Sequence, residues 1–374
     1  MSVITVGTKV GTEHEYSIND QSFTPLPISD KILEKIHGSV EHEVDFGPVK
    51  VSKELQKTAI ELIPARPGTL VEIEDMLYQG LKKLYAALDY RYKFLGLGMH
   101  PLLTLDQTTY WDHDEQEYYQ IYDRLFNIRQ HGWLNIQALQ INVPFGDKQN
   151  LVAMFNRMRA LMPYLIAVSA ASPFVEGKLT FYIDNRLVYY RENQKQIPSI
   201  THDILPEKLS SVDDYIKINR GIYTSLRECG ANILCREWVN SRGVIVRFSR
   251  GCLEVKAIDE QECLKSDMAI TAFLLALLRS DLSLEEDESS LKSLMEEAMR
   301  NGTENLKPEL ERLYKAAYEI STEEERRYLP LVKHRIEKGS LAEVLRWQYK
   351  DSGDIRSLLQ RLEEALGENK PYLW

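Results

Sequence analysis

Only four cysteines occur in 374 residues, Cys229, Cys235, Cys252 and Cys263, and no two are spaced C-x-x-C. Thiolate metal clusters and dithiol redox motifs therefore lack support, which leaves reduced structural thiols. Basic residues are in deficit: 46 Lys and Arg stand against 56 Asp and Glu, a formal net charge of −10. Affinity for DNA or RNA comes mainly from neutralising phosphates, so the balance argues against a nucleic-acid partner and favours small molecules or proteins. Long hydrophobic runs are missing too. "AITAFLLALL" and "PYLIAVSAASPFV" fall short of the roughly 20 apolar residues that span a bilayer, and "MSVITVGTKV" has no basic region followed by an apolar core. The expectation is a cytoplasmic protein with no membrane partner. Neither G-x-x-x-x-G-K-[ST] nor a strand-linked G-x-G-x-x-G occurs, so a nucleotide would have to be held by metal and side chains. His100, His131 and Cys252 stand in no local pattern of a catalytic dyad, and nucleophilic catalysis is unsupported.

What is present is an ordinary globular composition, 44% hydrophobic and 27% charged, long enough for one large domain with an appendage or for two domains. In "KVGTEHEYSI" the residues Val10, Thr12, His14, Tyr16 and Ile18 alternate with Gly11, Glu13, Glu15 and Ser17, the period of a strand with one face on a core. "TAIELIPA" sets Ile60 and Leu62 against Glu61, and "LQINVPF" sets Leu139, Ile141, Val143 and Phe145 against Gln140 and Asn142. "GVIVRFSRGCLEVKAID" reads as two strands joined near Arg250 and Gly251, with Glu254 and Lys256 sharing a face. Between them lie helices: one opened by a Thr69/Glu72 capping box, one capped by Asp147, and "ECLKSDMAITAFLLALLRS". The composition turns acidic and polar at "LSLEEDESSLKS". We expect a boundary near residue 283, with 1–283 as the main domain and 284–374 as a helical appendage.

Four glutamates, Glu13, Glu15, Glu61 and Glu254, thus each sit on a strand and face away from its apolar side. If those strands share one antiparallel sheet, the carboxylates converge, and a crowd of like charges is unfavourable without a cation; hard oxygen ligands select Mg²⁺ or Mn²⁺. A solvated polar sheet face is the other reading of the same pattern. Arg247, Arg250 and Lys256 lie within a few positions of Glu254, and Arg186 sits in "FYIDNRLVYY". Such cations suit a transferring phosphoryl group or a substrate carboxylate, or else surface ion pairs. His14, on the apolar side of its strand, reads as a hydrogen-bonded core histidine.

Taken in order, "GTEHEY", "TAIELIPARPGTLVEIEDMLYQGLKKLY…FLGLGMHP", "LQINV", "SAASPFVEGK" and "RGCLEVKAID" resemble motifs of the glutamate–cysteine ligases and related carboxylate–amine ligases of the plant and proteobacterial type, over roughly residues 7–260. The resemblance implies an α+β fold like that of glutamine synthetase: an antiparallel β-sheet funnel flanked by helices, holding ATP and two or three Mg²⁺ ions. It implies activation of the γ-carboxylate of glutamate as an acyl phosphate, then attack by an amine such as cysteine's, the chemistry of glutathione biosynthesis. Carried over residue by residue, Glu13, Glu15, Glu61 and Glu254 would bind metal, Gln140 and Asn142 would line the nucleotide or metal side, and Arg186 would contact the substrate carboxylate or the phosphoryl group. Arg247 and Arg250 would lie near the phosphates. Lys256 stands where the family's E-V-R motif has arginine, and Tyr118-Tyr119 stands where plant-type enzymes show Arg-Tyr. These departures bear on substrate choice. A different acid or amine, or a nucleotide-binding protein without catalysis, are the rival readings. "DQTTYWDHDEQEYY", residues 106–119, would suit a lid over the site or an exposed recognition surface.

Overall fold

The computed structural model describes residues 4–373. Its strands are β1 (Gly11–Asn19), β2 (Glu43–Asp45), β3 (Val49–Lys53), β4 (Ala59–Pro64), β5 (Lys93–Leu95), β6 (Ala138–Pro144), β7 (Phe174–Val175), β8 (Lys178–Leu179), β9 (Val244–Arg247) and β10 (Cys252–Asp259). β7 and β8 make a small hairpin of their own. The other eight form one sheet in the order β2-β3-β4-β1-β6-β10-β9, with β5 added to β1, and every pairing is antiparallel. One edge of β1 is therefore shared: β6 pairs residues 11–14 and β5 pairs residues 17–19.

Up to residue 283 the helices are α1 (Ser29–His37), α2 (Leu70–Ala87), α3 (Gln116–Phe126), α4 (His131–Leu134), α5 (Lys148–Ser169), α6 (Asn185–Glu192), α7 (Val212–Glu228) and α8 (Leu264–Arg279). The expected caps are present. Thr69 and Glu72 exchange side-chain and backbone hydrogen bonds at the start of α2, and Asp147 accepts the N–H groups of Gln149 and Asn150 at 2.9 and 2.8 Å. Apolar stripes on α2, α5 and α8 cover one face of the sheet, against Tyr16, Ile18, Ile60, Leu62, Leu139 and Ile141. α5 runs 22 residues and, by length and composition, is apolar enough to cross a membrane; most of it is buried inside the protein.

After residue 283 come α9 (Glu288–Asn301), α10 (Lys307–Ile320), α11 (Leu329–Lys338), α12 (Leu341–Ser352) and α13 (Ile355–Glu368). These helices do not stand apart. α9 lies on α5, α10 and α11 lie on α8, and α13 lies on β5. Leu291, Leu310, Leu313, Leu329, Val332 and Ile336 belong to the same buried cluster as the sheet's apolar face. Of residues 106–119, Trp111 is fully buried and Tyr110 pairs its backbone with Gln56, so this stretch is pinned to the end of β3 and β4.

Candidate active site

The strand register places one row of polar side chains across the uncovered face. Glu15 lies opposite Glu61, and Glu61 opposite Ser52; Glu13 lies opposite Gln140, and Asn142 opposite both Gly11 and Glu254. Cross-strand partners share a face, so the four predicted glutamates are brought to one surface. β1 is nevertheless buried on both sides, because that polar row and its partners cover it.

Within the row two neighbourhoods differ in charge. At one end oxygens of Glu15, Glu54 and Glu61 lie within 4.8 Å of one another. Glu15 accepts the Ala138 N–H and the Gln140 side-chain amide, each at 2.9 Å. None of the three carboxylates is ion-paired to a cation among the described residues. Burial, followed by the charge of Glu54, pushes the Glu15 carboxyl well above the usual range. Glu61 is raised likewise, by burial and then by Glu54, Glu13 and Glu15, and burial lifts Glu54 to about 6. Three carboxylates so placed could hold a hard divalent cation, which would restore their charged forms.

At the other end carboxylates are clasped by cations. Glu254, fully buried, accepts from Arg247 and lies 3.7 Å from Arg250 and 3.5 Å from Lys256. Glu13 accepts from Arg250 and, at 3.1 Å, from the Asn142 amide. Burial works against the charge of Lys256, yet the Glu254 carboxylate raises its affinity for the proton. Glu13 and Glu254 are thus held in ion pairs, whereas Glu15 and Glu61 are grouped with a residue that sequence reading missed. Glu54 follows the unread strand β3, whose alternation of Val49 and Val51 with Lys50 and Ser52 puts Glu54 on the polar face.

Arg186, from α6, is buried beside this row. Its Nε donates to Asp259 Oδ1 at 2.6 Å and its Nη1 to the Lys256 carbonyl at 3.2 Å; Nη2 has no hydrogen-bond partner among the described residues. Asp259 was not singled out from the sequence either. Cys252 donates to Asn142 Oδ1 at 3.3 Å, and burial with the Glu254 charge pushes its thiol up to about 11, too high for a nucleophile at neutral pH. His100 is structural: Nδ1 accepts the Leu102 N–H at 3.1 Å, Nε2 bonds Asn19 at 2.6 Å, and burial holds it down to about 3. At the tyrosine pair, Tyr119 shares its hydroxyl with Lys53, which also meets Glu115 at 2.8 Å, and Tyr118 packs on Trp238.

The profile of glutamate–cysteine ligase family 2 matches residues 9–361. An uncharacterized protein of Archaeoglobus fulgidus is 52% identical over 97% of this chain and all of its own length. Glutamate–cysteine ligase of Halobacterium salinarum is 27% identical over 45% of this chain and 44% of its own; the matched part is less than half of that relative. Among solved structures, glutamate–cysteine ligase from Francisella tularensis in complex with AMP superposes with a TM-score of 0.72 at 12% identity, covering 99% of this chain and 90% of that one. At that identity the likeness speaks for the fold.

Proposed function

Because the chain belongs to glutamate–cysteine ligase family 2, we propose that it is an ATP-dependent carboxylate–amine ligase that activates the γ-carboxylate of glutamate as an acyl phosphate and joins it to the amine of cysteine. The observation that carries this reading is the pairing, on one sheet face, of the acidic trio Glu15, Glu54 and Glu61 with the basic cluster Arg247, Arg250 and Lys256. In this reading the face is the wall of a glutamine synthetase-like funnel and the region up to residue 283 carries the chemistry.

The trio would hold Mg²⁺, or Mn²⁺, which supplies neutralisation of phosphate charge. Arg247 and Arg250 would bind the phosphates of ATP, exchanging Glu254 and Glu13 for phosphate oxygens, and Gln140 and Asn142 would keep Glu15 and Glu13 oriented. Lys256 and the free Nη2 of Arg186 would orient the carboxylate that is to be phosphorylated. A carboxylate is a poor acyl donor at neutral pH; phosphorylation converts its oxygen into a leaving group, which the attacking amine displaces. Cys252 takes no part.

A second reading keeps the chemistry and changes the acid or amine. It is favoured by Lys256, a point charge in place of a planar fork, and by Tyr118-Tyr119, where Lys53 is the neighbouring cation. ADP release by the purified chain with ATP, Mg²⁺ and glutamate, with and without a panel of amines that includes cysteine, separates the readings. The expected outcome is turnover that requires glutamate and cysteine together and is lost in Glu61→Gln. Turnover with another pair would move the assignment to the second reading, and none with any acid or amine would remove the ligase.

A further inference from the structure

On the opposite face of β1, between the two strand glutamates, His14 points into the helix-covered core. Glu260, just past β10, and Asp267, in the first turn of α8, meet it there, and all three are fully buried. His14 Nδ1 lies 3.3 Å from Glu260 Oε1 and 3.5 Å from Asp267 Oδ2, and one ligand atom of each residue lies within 4.8 Å of the others. We propose that His14, Glu260 and Asp267 form a structural metal site that takes one Zn²⁺ ion, separate from the candidate active site and independent of the ligase reading.

Geometry is the first argument. Buried charge-assisted bonds in this molecule are short, as in Arg186–Asp259 at 2.6 Å; the imidazole–carboxylate separations are too long for that class, whose range is about 2.7–2.9 Å. The two separations from His14 are close to the edge of a tetrahedron of ligands about 2.0–2.1 Å from zinc, an edge of roughly 3.3 Å.

The second argument comes from the atoms around the cluster. His14 Nε2 bonds Thr12 Oγ1 at 2.9 Å, the kind of outer partner that fixes the ring of a metal-bound histidine. Glu260 Oε2 accepts the Glu15 N–H at 3.1 Å, which leaves Oε1 aimed at His14. Apart from the 3.5 Å approach of His14, neither oxygen of buried Asp267 has a hydrogen-bond partner among the described residues. Tyr16 is next on the same strand face, its ring parallel to His14 at 6.4 Å, and its fully buried hydroxyl has no hydrogen-bond partner among the described residues. Orphaned polar atoms are rare in native interiors and call for an unseen ligand or proton.

The donor set is the third. One imidazole and two carboxylates, without thiolate, are nitrogen and oxygen donors that zinc accepts, and a water would complete the fourth position. Arg335 is already paired with Glu262 at 2.9 Å. The ion would tie β1 to the β10–α8 connection at the point where the ladder along β1 passes from β6 to β5.

The test is elemental analysis of the full chain after dialysis against EDTA, together with refolding in Co²⁺ and inspection of its visible absorption. Stoichiometric zinc in the wild type and in Glu61→Gln, loss of it in Asp267→Asn, and an intense tetrahedral Co²⁺ spectrum would support the site. A metal-free wild type without a Co²⁺ spectrum would overturn it, as would zinc that survives Asp267→Asn. Should that variant fail to fold, X-ray absorption of the wild type decides: an all-nitrogen and oxygen shell with one imidazole supports the site, and a sulfur ligand or a metal-free sample sinks it.

Discussion

The acidic trio stores a conflict that a bound cation would relieve. Glu15, Glu54 and Glu61 crowd one another in a buried place, each raised toward its protonated form, so an uncharged isostere removes repulsion from the folded chain without leaving a hole. Glu54→Gln is expected to raise the metal-free melting temperature by the equivalent of roughly 1 kcal/mol, and to weaken Mn²⁺ binding by at least about 10-fold, a loss typical even of an outer partner. Thermal melts and Mn²⁺ titration followed by electron paramagnetic resonance check both directions at once. Strand alternation made Glu13, Glu15, Glu61 and Glu254 legible as one face. It could not tell which of them are metal-like and which are claimed by Arg247 and Arg250. That depends on which residue lies across the ladder, and periodicity fixes facing but not neighbours. Glu54 stayed unread because β3 is only five residues long and its polar partner lies beyond its end.

Among the elements, the F-L-G-x-G stretch acquires a physical meaning. The strand there is β5, and the two glycines follow it, pressed against the end of β10. A Cβ on Gly96 would stand 2.1 Å from the Gln261 carbonyl oxygen, and one on Gly98 would stand 2.2 Å from Asp259 Cγ. Asp259 cannot yield cheaply, since its carboxylate accepts from Arg186, from the Ala171 N–H at 2.8 Å and from Ser172 Oγ at 2.8 Å. Gly98→Ala is therefore expected to cost about 2–4 kcal/mol and to displace Arg186 through Asp259. Urea midpoints read the first effect. For the second, ADP release should fall more in Gly98→Ala than in Gly7→Ala, where a Cβ meets nothing within 4 Å. Helices and caps were legible in advance because their signals are local; the close approach of two distant segments is not, and glycine alone marks it.

At the scale of the whole molecule, the acidic shift at residue 283 looked like the edge of a domain because charge accumulates in the linker, at Glu285, Glu286 and Asp287, just before α9. Packing tells otherwise. The helices beyond it bury six large aliphatic side chains, Leu291, Leu310, Leu313, Leu329, Val332 and Ile336, in the core that also holds the sheet, worth roughly 10–20 kcal/mol in removed apolar surface. That equals or exceeds the ~5–15 kcal/mol by which a folded chain is stable. Arg335 of α11 adds a polar tie to the β10–α8 connection, donating to the Val168 carbonyl at 3.0 Å and to Glu262 Oε2 at 2.9 Å. A chain ended at residue 283 would expose the backs of α5 and α8 and leave Glu262 buried without its cation. The expected outcome is loss of cooperative unfolding by circular dichroism and aggregation on size-exclusion chromatography. A truncated chain that melts in one sharp transition and still binds Mn²⁺ would show that the first 283 residues carry their own core and that the later helices only decorate it.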